Sequence, residues 1–413
     1  MKITALEAAR HRLAARPPHR PIASLLTRAA HLAGERSSPL FQLVVLHRLK
    51  GFLRHIVVSV IRREFPDGDL TPRTGMSEEI HHDLLALAEN LGVVRLQQRA
   101  PRARLRPDYA AVVRSEDPAA QDTPAWRRDR ADYQRIRELV ARGGVLEEDR
   151  GEDTPPHLRR DDVHYLMVLC RYILELEEMS LYEQVKPSFD TVFYSDLGEL
   201  AYRLYTSGSY RKLCRRLQPA SFLDIGCGEG RHLEPPAQLR PAPRVVGVEL
   251  DPKVAESARE RLAGRVDAEV VSTDLFEWRT EERFDMILSS YMLFYLDRSR
   301  HVEFYSRVRE LLAPGGTYVV GQYFPDFQEY QRALIDRYSP APRIQRWASE
   351  TGNSLLLAEV LLNRTLVHFR SVVYWDAFRD DLAAAGLAVR EVLPADSLYY
   401  SHYVLIGRAD DER

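Results

Sequence analysis

The sequence predicts an α/β protein, with a mainly helical, winged-helix-like amino-terminal region followed by a sheet of mostly parallel strands. Three observations carry that expectation. Before about residue 145 apolar residues recur at helical spacing, from Ser221 onward short apolar runs alternate with amphipathic segments, and one run ends in the glycine cluster "FLDIGCGEGRH", residues 222–232.

A chain of 413 residues exceeds the usual size of one hydrophobic core, so two domains are expected, residues 1–150 and 160–413. The boundary falls in "GGVLEEDRGEDTPPHLRRDD", residues 143–162, where charge, glycine and proline mark a linker. With 45% hydrophobic and 29% charged residues and a formal charge of -2, the chain reads as a globular protein without a field that draws nucleic acid or an anionic membrane. Cys170, Cys214 and Cys227 are widely separated and odd in number, which suits a reducing interior and offers no metal-ligand spacing. The amino terminus lacks the continuous apolar core of an export signal, so a cytoplasmic location is expected.

The segments "ITALEAARHRLAA" and "IASLLTRAAHLAG" have helical periodicity. Residues 40–61 are as long as a membrane span, but His47, Arg48, Lys50, Arg54 and His55 interrupt them. Phe41, Val45, Leu49, Phe52, Ile56 and Val60 share one helical face, which predicts a packed or dimer-forming amphipathic helix rather than a membrane element. "MSEEIHHDLLALAENLG" predicts a helix ending at Gly92, and "VVRLQQRAPRARLRPDYAAVV" reads as two strand-like runs about a proline and arginine turn. A helix followed by a hairpin suggests a winged helix. Its wing carries Arg95, Arg99, Arg102, Arg104 and Arg106, but only five of the 58 basic residues are lysines, so arginine is simply this chain's usual cation. A solvated or dimer-facing hairpin is therefore favoured over a nucleic-acid contact.

Two helical segments lead into the second domain, residues 160–217. The texture then alternates: "SFLDIG" strand, short helix, "RVVGVEL" strand, "PKVAESARERLA" helix, then strands "AEVVSTD" and "FDMILSS". The helix "RHVEFYSRVRELL" and the strand "GTYVVGQYF" follow, then an insertion over residues 325–370. The helix "WDAFRDDLAAAG" and the strands "LAVREVL" and "YYSHYVLIGR" close the pattern.

Parallel sheets bind ligands at the carboxyl ends of their strands, where the first strand's loop meets a helix. Gly226, Gly228 and Gly230 sit there, permitting unusual dihedrals and removing side chains that would hold a ligand off the main chain. A nucleotide-like ligand is implied. Glu249 ends the next strand, 19 residues beyond Gly230, placed to accept hydrogen bonds from two ribose hydroxyls. Asp274 ends the third strand, placed to hold an adenine amino group with Leu275 and Phe276 as apolar cover. Each carboxylate alone also fits a turn or cap role. Asp224 either organises the loop amides or meets a cationic amine. The spacing G-x-G-x-G is one residue shorter than the dinucleotide fingerprint, although a dehydrogenase stays among the readings of such a loop.

Together "FLDIGCGEG", "VVGVELD", "STDLF", "FDMILSSYMLFYL" and "LLAPGGTYVV" resemble the class I S-adenosylmethionine-dependent methyltransferases over about residues 221–408. That resemblance implies a Rossmann-like, seven-stranded sheet of six parallel strands with the last antiparallel. It implies S-adenosyl-L-methionine as cofactor, held by Asp224, Gly226, Gly228, Gly230, Glu249, Asp274, Leu275 and Ser289. The helical region resembles, more weakly, that of small-molecule O-methyltransferases that dimerise through it, which implies a homodimer. In that group a His-x-x-x-Asp pattern after the fourth strand supplies a base; here the aspartate is Asp297 and the histidine position is Leu293.

Methyl transfer from a sulfonium is an in-line displacement, so alignment and water exclusion dominate. Tyr291 and His301, after the fourth strand, are the catalytic candidates, with His301 the base available there. Each also has a packing reading, and His301 heads the helical stripe His301, Tyr305, Val308, Leu312. Tyr295, Tyr323 and Trp347 are substrate candidates. The insertion is expected to form a lid with Phe327, Tyr330, Trp347 and His368, while Tyr182, Phe189 and Tyr194 close over the cofactor. The expected function is O- or N-methylation of a small aromatic or apolar molecule. The alternatives are an RNA-modifying methyltransferase, a non-catalytic adenosylmethionine-binding or dimerisation module, and transfer of another group of the same cofactor.

Overall fold

Helix α1 (Pro39–Glu64) presents Leu49, Phe52, Ile56 and Val60 to the interior, each at most 1% exposed. Its polar side is engaged as well: the His55 ring stacks on Trp126 and Tyr133 at 4.4 and 4.2 Å, and Arg54 binds Asp129 at 2.8 Å. These partners lie on one later helix, Pro124–Arg142, so within the described residues α1 is packed by its own chain on both sides. The computed structural model describes residues 39–96, 103–142, 161–182, 198–339, 342–366, 369–396 and 399–412. Among them no helix is long and apolar enough to cross a membrane.

Ser77 caps α2 (Glu78–Asn90), whose buried face is Ile80, Leu84, Leu87 and Ala88, and Gly92 at φ +74° ends the segment in the left-handed region. Strands β1 (Val94–Leu96) and β2 (Ala103–Leu105) then pair antiparallel, with Arg95 opposite Arg104. Arg99 and Arg102 lie outside the described residues. One expectation is corrected here. "DYAAVV" is not strand but helix α3 (Pro107–Arg114), because Pro107 fits the first helical turn and Tyr109, Val112 and Val113 repeat at helical spacing. Helices α4 (Pro124–Arg142) and α5 (Asp161–Leu174) complete this region.

After α6 (Ser207–Leu217) come β3 (Ser221–Ile225), β4 (Arg244–Glu249), α7 (Pro252–Leu262), β5 (Glu269–Ser272) and β6 (Phe284–Ser290). They are followed by α8 (His301–Leu311), β7 (Leu312–Gln322), α9 (Gln328–Tyr338), α10 (Pro342–Arg364), α11 (Trp375–Ala384), β8 (Leu387–Pro394) and β9 (His402–Arg408). The sheet order is β5-β4-β3-β6-β7-β9-β8. Pairings from β5 to β7 are parallel, and β9 is antiparallel to both its neighbours, so six strands share one direction and the last opposes them, as the sequence predicts.

Both sheet faces are covered, which explains why β3 reads as a continuous apolar run broken only by Asp224. From β3 the chain runs to β4 and β5 on one side, and the connection after β5 crosses to β6 on the other side of β3. A crevice therefore opens at its carboxyl end.

The insertion between β7 and β8 is helical. Leu355, Leu357, Ala358, Leu361 and Leu362 of α10 share one core with Leu49, Phe52, Leu84 and Leu87. Arg364 reaches Asp83 at 2.9 Å and Glu79 at 2.8 Å on α2, so α10 ties the sheet to the helical region.

Candidate active site

Strand β3 delivers the chain into a loop where Gly226, Gly228 and Gly230 have φ of +69°, +53° and +79°. Side chains disfavour that region, which is why three glycines stand there. The amides of Gly226 and Cys227 donate to the Val248 carbonyl at 2.8 and 3.1 Å, clamping the loop to β4. At Gly230 a Cβ would lie 3.0 Å from Leu262 Cδ1, whereas at Gly228 nothing lies within 4 Å. Gly230 serves packing; Gly228 faces open space.

Two carboxylates converge on this loop. Glu249 Oε2 accepts from the Gly228 amide at 2.9 Å and its Oε1 from the Asp251 amide at 3.0 Å. Asp224 is 1% exposed, and neither of its carboxylate oxygens has a hydrogen-bond partner among the described residues. Burial, and then Glu249, push its carboxyl well above the usual range. Among the described residues no loop amide donates to Asp224, so the loop-organising reading has no hydrogen bond behind it.

Glu249 pairs with Ser272 across β4 and β5, and the Thr273 amide donates to the Glu249 carbonyl at 3.0 Å, which sets Asp274 at the adjoining exit. Asp274 Oδ1 accepts from the Phe276 amide at 2.8 Å, and the Arg300 guanidinium lies 3.8 Å over the Phe276 ring. Leu275 is buried in the core beside the sheet, so the apolar surface at this exit comes from Phe276 and from Leu250, 68% exposed. Leu250 was missed in the sequence; its signal was an apolar residue directly after the acidic strand end.

Ser289 is 1% exposed and its hydroxyl bonds Tyr318 at 2.7 Å, below the exit of β6. Beyond it, Met292 would lie 3.3 Å from a Cβ on Gly226, so the end of β6 touches the glycine loop. Tyr291 has φ +53°, a strained conformation for a bulky residue, held by its amide bond to the Gly321 carbonyl at 2.9 Å. Its hydroxyl pairs with Ser401, and burial raises its phenol above the ordinary value.

Tyr291 joins an aromatic group: Tyr323 at 6.2 Å, with Tyr400 and Phe294 at 5.9 and 6.3 Å from Tyr323, and Phe369 at 5.6 Å from Phe294. Tyr295 is half-exposed, edge-on to Phe294 at 4.6 Å. The structure thus gathers Tyr291, Tyr295 and Tyr323. It places other candidates elsewhere. Trp347 packs on the core shared with α1 and α2. His301 is 1% exposed, with Nε2 3.2 Å from Ser371 and Nδ1 3.9 Å from Asp381, and burial lowers its pKa. None of its recorded contacts is with the glycine loop or Tyr291. Phe327 packs edge-on against Trp375 and His402 at 4.7 and 4.6 Å. Phe189, Tyr194 and His368 lie outside the described residues, and a cleft between Arg309 and Gly386 is lined by none of the residues above. Sequence reading also missed Glu359 and Tyr400, which border the aromatic group from α10 and the approach to β9.

Fold and site together define a class I, Rossmann-like methyltransferase domain. More particularly, residues 222–316 match the family described as a methyltransferase domain. Trans-aconitate 2-methyltransferase of Escherichia coli (strain E24377A) is 31% identical over 97 residues, 24% of this chain and 36% of that protein. The type II methyltransferase M.CvrRI of Paramecium bursaria Chlorella virus XZ-6E is 32% identical over 73 residues, 18% of each chain. The similarity therefore spans at most 36% of these relatives' length. An O-methyltransferase family 2 protein from Planctomyces limnophilus DSM 3776, solved in complex with apigenin, aligns over 90% of this chain and 95% of its own, with TM-score 0.51 and 16% identity. The fold is thus shared beyond the methyltransferase domain.

Proposed function

We propose that this chain transfers the methyl group of S-adenosyl-L-methionine to an oxygen or nitrogen of a small aromatic molecule. The observation that carries the reading is the convergence of three strand exits: the bare loop after β3, Glu249 bonded to that loop, and Asp274 beside Glu249. The partnerless Asp224 carboxylate supports it, because an amino acid ammonium group would satisfy it.

When bound, the cofactor supplies an electrophilic methyl on a sulfonium. Glu249 would hold the ribose hydroxyls, Asp224 the ammonium group, and Asp274 with Phe276 and Leu250 the adenine. The open space at Gly228 leaves main chain approachable. Tyr291, Phe294, Tyr323, Phe369 and Tyr400 offer ring faces and edges that stack a planar acceptor and exclude water, which is the alignment an in-line displacement needs.

Calorimetric titration of the purified chain with adenosylmethionine, adenosylhomocysteine and a nicotinamide dinucleotide tests the cofactor. The first two are expected to bind; binding of the nicotinamide nucleotide alone overturns the reading. Transfer of labelled methyl into the small-molecule fraction of a cell extract, and not into its RNA, tests the acceptor class.

A further inference from the structure

Glu359 lies on α10 among apolar residues: Leu356 and Val360 face the aromatic group, while Ala358, Leu361 and Leu362 are locked into the other core. Its carboxylate accepts a hydrogen bond from the Tyr400 hydroxyl, and no cation pairs with it among the described residues. A carboxylate in such surroundings is costly unless it has a use. Glu359, Tyr165, Tyr291 and Tyr400 each keep accessible surface, yet lie so deep that burial dominates the ionisation of every one.

A series of contacts leads from the glycine loop to Glu359. Met292 touches Gly226, its neighbour Tyr291 pairs with Ser401, and the next residue, Tyr400, binds Glu359. The titratable groups about Glu359 are Tyr165 on α5, Tyr291 and Tyr295 after β6 and Tyr400 before β9, with Tyr323 against Tyr400 and Asp396 near Tyr165 and Tyr291. Burial keeps the phenols of Tyr165, Tyr291, Tyr295 and Tyr400 neutral, so the carboxylates of Glu359 and Asp396 are the bases among these groups, and Asp396 is already engaged by the Tyr400 and Ser401 amides at 3.1 and 2.8 Å. Leu293, at the position where the resembling O-methyltransferases carry a histidine, is 1% exposed and brings no base.

We infer that Glu359 is the proton acceptor of the methyl-acceptor pocket, with Tyr400 as its positioning residue, an inference that rests on the methyl-transfer reading above. As the acceptor oxygen or nitrogen bonds the methyl carbon, the carbon–sulfur bond breaks and its electron pair stays on sulfur. The acceptor's proton passes to the Glu359 carboxylate. A methylated acceptor, a neutral thioether and a carboxylic acid result, and the acid returns its proton to water when product leaves. The raised pKa of Glu359 makes it a better base than an exposed carboxylate.

The test uses the full chain saturated with adenosylhomocysteine, and para-nitrophenol and para-nitroaniline as chromophoric probes. At least one is expected to bind the wild type saturably, and Glu359→Gln to weaken that binding roughly tenfold or more, with a smaller loss in Tyr400→Phe. Adenosylhomocysteine affinity stays within about twofold in both variants. In turnover with a phenol that the wild type methylates, kcat of Glu359→Gln falls on the order of 100-fold at unchanged KM for adenosylmethionine, and the acidic limb of the pH profile disappears. Equal probe affinity in wild type and Glu359→Gln, or no saturable binding of either probe to wild type, overturns the proposal. Failure of adenosylhomocysteine to bind the wild type sinks the cofactor reading instead.

Discussion

The Glu249 carboxylate accepts a hydrogen bond from the Gly228 amide at 2.9 Å, so an acidic strand end and the glycine loop of the neighbouring strand form one unit. Glu249→Ala removes the loop's anchor together with the proposed ribose acceptor. Adenosylmethionine affinity is expected to fall by about 1.5–3 kcal/mol, roughly tenfold to hundredfold. Calorimetry checks this, and an unchanged dissociation constant would remove Glu249 from the site.

Gly228 and Gly230 share positive φ but differ in what a side chain meets: open space at Gly228, Leu262 and Ala258 at Gly230. Alanine at either position brings about 1–3 kcal/mol of backbone strain. Only Gly230→Ala adds a clash, so it is expected to lower the urea midpoint more, while Gly228→Ala loses more cofactor affinity per unit of stability lost. The reverse order would mean that the ligand does not approach Gly228.

The strand exits were legible in the sequence because each is a local pattern: an apolar run, then glycines or an acid. The sheet was legible because alternation of strand and helix leaves few topologies. Glu359 was not, since α10 alone reads as a buried helix and the carboxyl gains meaning only where Tyr165, Tyr291 and Tyr400 meet it. His301 shows the same limit. Its position after β6 is visible, but the partners that surround its ring, Ser371 and Asp381, arrive from distant sequence. Helix α3 was misread because "DYAAVV" satisfies alternation and helical spacing alike over so few residues.

Asp224 gives the site a pH signature. Its folded pKa is raised above the ordinary 3.8, so the folded state holds a proton that the unfolded chain has released. Its contribution to stability is present below about 3.8 and lost as pH rises through the raised value. Asp224→Asn is therefore expected to raise the melting temperature of the ligand-free chain at neutral pH and to shrink the rise caused by adenosylmethionine. Thermal scans with and without ligand decide; an unaltered ligand shift would count against an ammonium group at Asp224.

Arg364 holds α10 to α2 through Asp83 and Glu79, and Asp83 is 6% exposed. Arg364→Ala leaves that carboxylate buried with only the exposed His82 ring beside it, Nδ1 at 3.4 Å, with an expected loss of about 3 kcal/mol in urea denaturation. Arg364→Met with Asp83→Leu removes both charges and is expected to recover most of it. A double variant as unstable as the single one would show that packing, not charge, fixes α10.

His402 is 1% exposed, edge-on to Phe327 at 4.6 Å, and neither ring nitrogen has a hydrogen-bond partner among the described residues. Burial pushes its pKa from 6.5 down to about 3. Between those values the unfolded chain binds a proton that the folded chain refuses, so this residue's contribution to stability is lost as pH falls below 6.5. His402→Phe keeps the aromatic contact and removes the titration. Its stability relative to wild type is expected to be about 2 kcal/mol more favourable near pH 5 than near pH 7. Urea denaturation at both pH values measures the difference, and an equal value at each would mean that His402 is protonated freely in the folded state.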